Sequence, residues 1–227
     1  MKSIDVLDES GGNEMSEQAI RRWGLQSFRR TLCVIGLCGV CVSFAHAQTA
    51  ASFDYTADAD TVIVSMNQVP DGLEDQDPTP RLRVYGDGRV LVHYPHYMKK
   101  AGDYSFVLSK EELDALITSM IEKGTVDFDA ATVKSDRQRA SVAKREANPG
   151  VAYYQSSDTL TVIEVNLSTY KAAGSTAVQN DVSKRIEWHG LRTDVKAHPD
   201  IDALQRLAEA EAELVELSLH SELELVE

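Results

Sequence analysis

The apolar residues of this chain change period, and that constrains its fold more than any motif does. "TVIVSM" (61–66) is a β-branched run, "RLRVY" (81–85) alternates basic and apolar residues, and "RVLVHY" (89–94) and "YSFVL" (104–108) are rich in strand formers. From residue 113 the spacing becomes helical: Leu113, Leu116, Ile117, Met120 and Ile121 recur every three and four positions. Ser109 with Glu112 forms a capping box before that stripe, and Gly124 closes it. The pattern then repeats in coarser form. "TLTVIEVNL" (159–167) sets Ile163, Val165 and Leu167 opposite Glu164 and Asn166, and "SKRIEWHGL" sets Ile186 and Trp188 opposite Glu187 and His189. A second helix is expected from about Asp200, with Ala203, Leu207, Ala210, Leu214 and Leu217 on one side.

Strands followed by one amphipathic helix, twice over, predict an α+β fold: a mostly antiparallel sheet with two amphipathic helices packed on one face. The repeated order is what a divergent duplication of a strand-strand-helix unit would leave. Between the halves, residues 127–156 read as a polar connection, helix or solvated loop, whose Lys134, Arg137, Arg139, Lys144 and Arg145 form a basic island. The acidic, proline-rich "NQVPDGLEDQDPTP" (67–80) reads as a loop, and the charged tail "SELELVE" as a frayed end.

Ahead of all this lies a different kind of segment. Arg29 and Arg30 precede "TLCVIGLCGVCVSFAHA", an apolar run ending in the small-x-small triplet Ala45-His46-Ala47. Residues 1–47 are therefore expected to be an export leader cleaved before Gln48, with Met15 as an alternative start and an uncleaved membrane anchor as the alternative fate. The arginine pairs 21–22 and 29–30 leave both the general and the twin-arginine export routes open. All three cysteines (Cys33, Cys38, Cys41) fall inside the leader, so residues 48–227 have no thiol chemistry, disulfide or zinc-cysteine site and must be held by one core. A chain of that length suits a single domain.

The net charge is −13, and the leader carries five residues of each sign, so the remainder holds 18 basic against 31 acidic side chains. That balance argues against nucleic acid, which is bound through clustered Lys and Arg, and against adhesion to anionic membrane once the leader is gone. The expected partner is another protein or a small ligand, and no residue pattern calls for a cofactor.

Four groupings carry possible chemistry. Gly86-Asp87-Gly88 lacks the third glycine and following helix of a nucleotide loop, Leu91 standing in the third position, and reads as a hairpin turn. His93 and His96 are candidate metal ligands if Pro95 breaks the strand between them. Glu187 and His189 share a strand face, with Asp194 and His198 close behind in sequence, and these four are the candidate catalytic set for proton transfer or divalent-ion chemistry. Asp71, Glu74, Asp75 and Asp77 lack the spacing of a calcium loop. The sequon Asn166-Leu167-Ser168 and the Ser168/Lys171 pair both fall within a predicted strand.

"LRVYGDGRVLVHY" followed by "YSFVLSKEELDALITSMIEKG", residues 82–124, resembles an element of small exported bacterial proteins of unknown function, in which a Tyr-Gly-Asp-Gly hairpin leads into a Ser-Lys-Glu-Glu-Leu helix. The layout is also similar, more remotely, to small bacterial inhibitors of secreted metalloproteases, with no inhibitory residue matched. The resemblance implies location and architecture and assigns no catalytic residue. Together these readings point to an exported, non-enzymatic binding or interaction module, with a hydrolase or metal-dependent enzyme built on the Glu/His cluster and a protease inhibitor as the alternatives.

Overall fold

The structure is a computed structural model, and it describes residues 50–72, 77–150 and 159–226. Contacts divide the chain into Met1–Ala45 and His46–Glu227, and the described residues all belong to the second unit. Residues 1–47, for which a leader is expected, and Glu74 and Asp75 lie outside them.

The second unit is an α+β fold built on one antiparallel sheet. Its strands are β1 (Ser52–Asp54), β2 (Val62–Pro70), β3 (Leu82–Tyr85), β4 (Arg89–Tyr94), β5 (Gly102–Val107), β6 (Thr159–Lys171), β7 (Gln179–His189) and β8 (Glu224–Leu225). Across the sheet the order is β7, β6, β2, β3, β4, β5, β8, with β1 beside the far end of β6. The central β2–β6 pairing, Val64 opposite Val165 and Met66 opposite Ile163, joins the two halves of the sequence into one sheet.

Because side chains alternate along each strand, the registers generate continuous rows. One runs Ile186, Ile163, Met66, Leu82, Val92, Tyr104, and the next Lys184, Val165, Val64, Val84, Val90, Phe106. Every apolar member of these rows except the half-buried Tyr104 is buried in one core, together with the stripes of α1 (Lys110–Glu122) and α4 (Asp202–Leu217). The opposite face carries Arg185, Glu164, Ser65 and Arg83 in the matching register. Residue by residue, each fully buried Leu, Ile or Met on the core face contributes about 1.5–3 kcal/mol.

α1 starts and stops where the sequence predicts. Ser109 Oγ accepts from Glu112 N at 3.2 Å and Glu112 Oε2 accepts from Ser109 N at 2.8 Å, while Gly124 takes φ +74 at the far end of α1. At the hairpin, Gly88 N donates to Tyr85 O at 3.0 Å with φ +89, and no helix follows.

Four features differ from the sequence expectation. Among the described residues there are four helices where two were expected: residues 130–147, left open between helix and loop, form α2 (Ala130–Ala147), capped by Asp129, and 191–197 form a short α3 (Leu191–Ala197). β2 runs on into the predicted loop as far as Pro70 because its last residues pair with Thr159–Val162 of β6. The tail is ordered enough to add β8 beside β5, Leu225 opposite Tyr104. β1 adds a three-residue strand where no period is visible. Among the described residues, no helix is long and apolar enough to cross a membrane.

Candidate functional site

In an antiparallel sheet all strand turns gather at two ends, and one of these ends is concave. The last residues of β2 (Asn67–Pro70), the start of β6 (Thr159, Thr161), the β2–β3 connection (Asp77, Thr79, Arg81), the β4–β5 connection (Pro95, Tyr97, Met98), the β7–α3 junction (Gly190–Thr193) and Glu211 of α4 line a pocket of about 390 Å3. That volume lies within the range of small-ligand sites.

Its polar groups form two closed networks. Glu211 projects from the buried stripe of α4 and is only 3% exposed. Gln68 Nε2 donates to its Oε1, and Arg192 Nη2 lies 3.5 Å from the same oxygen. Gln68 in turn accepts from Arg81 Nη1 at 3.2 Å.

The second network closes the β2–β3 connection onto the sheet. His93 Nδ1 is 2.6 Å from Asp103 Oδ1, and His93 Nε2 is 2.7 Å from Asp77 Oδ2. Burial pulls the imidazole pKa down, but the hydrogen bonds to Asp103 and Asp77 outweigh it and raise it above the ordinary value. Asp77 is held down at about 2, first by the backbone N–H and side chain of Thr79 and then by His93. When protonated, the doubly paired His93 donates from both ring nitrogens.

This arrangement predicts a pH dependence. A raised folded pKa stabilises fully below the unfolded value, 6.5, and the stabilisation is lost as pH rises through the folded value. Asp77, with a lowered pKa, contributes above its unfolded value of 3.8 and loses that contribution as pH falls toward about 2. Thermal melts of the full chain should therefore decline as pH rises above 6.5, and His93→Gln should remove that part of the slope while lowering the melting temperature at pH 6. A slope unchanged by His93→Gln would contradict the assignment.

A second polar cluster lies under α2. Asp194, fully buried on α3, accepts from Trp188 Nε1 at 2.8 Å and from Arg137 Nη1 at 2.7 Å. Lys134 and Arg137 both stand 5.7 Å from the Trp188 ring, and Lys144 donates to Ala197 O at the end of α3. The basic island of the sequence is thus largely the face by which α2 docks. Ser141 Oγ sits 3.3 Å from His198 Nε2, which puts serine, histidine and aspartate in one neighbourhood. The link that orients a catalytic imidazole is missing, because His198 Nδ1 is buried without a hydrogen-bond partner while Asp194 Oδ2 takes Trp188 and Arg137. Burial, Lys144 and Arg137 lower the His198 pKa against the pull of Asp194.

The four candidate catalytic residues do not come together. Strand alternation turns Trp188 inward toward Asp194, so Glu187 and His189 face the other way, with side chains 54% and 60% exposed. Glu187 pairs with Arg185 at 2.7 Å, and the nearest carboxylate to His189 is Asp71 at 4.0 Å. His96 is exposed beside Tyr97 on the β4–β5 connection, and His93 is occupied by the two aspartates. Among the described residues, no group of three or more His, Cys, Asp and Glu is placed to hold a metal ion. Asn166 of the sequon donates to Val62 O at 3.0 Å and accepts from Ser183 at 2.8 Å, within the sheet.

Sequence reasoning missed Gln68, Arg81, Thr161, Arg192 and Glu211. One signal was available: Glu211 falls four residues after Leu207 and three before Leu214, a carboxylate on the apolar stripe of α4. The chain matches no protein-family model, no curated protein and no solved structure with which it was compared.

Proposed function

We propose that this chain is an exported, non-enzymatic binding module: residues 1–47 direct export and are cleaved before Gln48, and the α+β domain then holds a ligand in the pocket at the end of its sheet, in the periplasm or outside the cell. The observation that carries the binding role is the pocket itself, where three connections, β6 and α4 converge with apolar and polar groups together. The state of its titratable groups favours holding a ligand over transforming one. A general base needs a lone pair facing the substrate, whereas His93 spends both nitrogens on aspartates, and Glu211 is already engaged by Gln68 and Arg192.

Export rests on the leader's basic, apolar and small-residue order. Mass spectrometry of the product from cells expressing the full chain should find a protein beginning at Gln48 in the periplasm or medium. Full-length chain confined to the cytoplasm or retained in the membrane would overturn that half of the proposal. For the binding half, a panel of small amphiphiles should raise the melting temperature, and Leu191→Trp, which fills the pocket wall, should abolish the rise. Hydrolytic turnover lost in His189→Ala would instead support the enzyme alternative.

A further inference from the structure

One cation of the pocket lacks an anionic partner among the described residues, and that identifies a ligand chemistry. His93 is paired with both Asp77 and Asp103, and Glu211 with Arg192. Arg81 is left over. Among the described residues its partners are neutral: Gln68 Oε1 at 3.2 Å, and the Tyr94 ring, whose centroid is 5.8 Å from the guanidinium carbon. Its Nε is buried with no hydrogen-bond partner. A half-buried guanidinium with only neutral partners among the described residues is costly to leave so, and an oxyanion is the group that pairs with it, through charge-assisted N–H···O bonding.

We propose that the pocket takes a small organic monocarboxylate, its carboxylate on Arg81 and its apolar body against Val69, Pro70, Pro95, Met98 and Leu191. This rests on the reading of the pocket as the binding site. A guanidinium with no anionic partner among the described residues matches one carboxylate, and a phosphate dianion would bring a second negative charge with no further unpaired cation among the described lining residues. The apolar lining gives an organic body somewhere to go, which an inorganic anion does not use. A cationic ligand would meet Arg81 without compensation, since Asp77, Asp103 and Glu211 are already paired.

The test is calorimetric titration of the full chain at neutral pH with hexanoate, with hexanamide of the same shape and no charge, and with inorganic phosphate. Hexanoate should bind about tenfold more tightly than hexanamide, the scale of one charge-assisted contact, and phosphate should not displace it. Arg81→Gln should bring hexanoate and hexanamide to the same affinity, and Arg81→Lys, which keeps the charge and loses the fork, should fall between. Thermal melts of each variant establish that it is folded. A Glu74→Gln/Asp75→Asn chain, which removes the carboxylates of the adjoining segment, should bind hexanoate at least as tightly, and loss of binding there would count against Arg81 as the anchor. Equal binding of acid and amide by the unaltered chain, displacement by phosphate, or a preference that survives Arg81→Gln would overturn the carboxylate assignment and leave the pocket standing. No binding of either organic probe would remove both.

Discussion

Asp194→Ala is expected to cost about 3 kcal/mol of folding stability, the combined effect of an unsatisfied buried donor and a broken buried ion pair. The side chain is fully buried and accepts from the indole N–H of Trp188, itself 1% exposed and shielded from water, and from the Arg137 guanidinium, whose side chain is 31% exposed. The consequence extends beyond one contact. α2 buries only Val133, so its attachment depends on Arg137 reaching Asp194, on Ser141 meeting His198 and on Lys144 reaching the end of α3. Hydrogen exchange should therefore show α2 losing protection before the sheet does. Asp194→Asn keeps an acceptor and loses the charge, so it should cost roughly half as much. Denaturation followed by tryptophan fluorescence measures all of this, and a loss under about 1 kcal/mol for Asp194→Ala would remove the cluster from its assigned role.

Gly86→Ala should be comparably damaging, at about 3 kcal/mol, for a steric reason. A Cβ at residue 86 would meet Asp58 N at 2.9 Å and Thr56 O closer still, both backbone atoms. The segment before β2 is laid across the hairpin by Gly86 N to Thr61 O and Asp87 N to Asp58 O, each 3.0 Å, so no flexible side chain is available to move aside. Gly124 is the contrasting case. It has φ +74 but nothing within 4 Å of its missing Cβ, so Gly124→Ala should cost only the left-handed backbone term, about 1–2 kcal/mol. Equal losses at the two positions would show that packing against Thr56 and Asp58 is not what requires glycine at 86.

These two sites also mark what the sequence made legible. The Gly86-Asp87-Gly88 turn was readable as a hairpin because strand-period residues flank it, and both main helices were readable because their stripes face a sheet. α2 was readable only as helix or solvated loop, because it docks through charges that resemble a solvated surface: Lys134 and Arg137 over Trp188, and Arg137 on Asp194. β1 and β8, at three and two residues, are too short to display a period and exist only through their partners β6 and β5. The histidines were legible as polar positions and misleading as a group. Nearness in sequence joined His189 to Asp194, whereas strand alternation gives Asp194 to Trp188.

The pocket was the least legible part, since Gln68, Arg81, Thr161, Arg192 and Glu211 come from separate parts of the chain and meet only when β2, β6, α3 and α4 assemble. Only the carboxylate on the apolar stripe of α4 hinted at it. Clusters assembled from distant segments have no local period to betray them, and here the residues closest to a sequence motif carry structural roles.

We propose that this fold binds its ligand at the end of the sheet, with its histidines in structural roles. An amide chemical-shift titration of the full chain with hexanoate tests it most directly. The account predicts saturable shifts concentrated at Gln68, Arg81, Thr161, Leu191 and Arg192, with Ser141, His189 and His198 unmoved. Shifts centred on Ser141 and His198, or on Glu187 and His189, with the pocket silent, would contradict it.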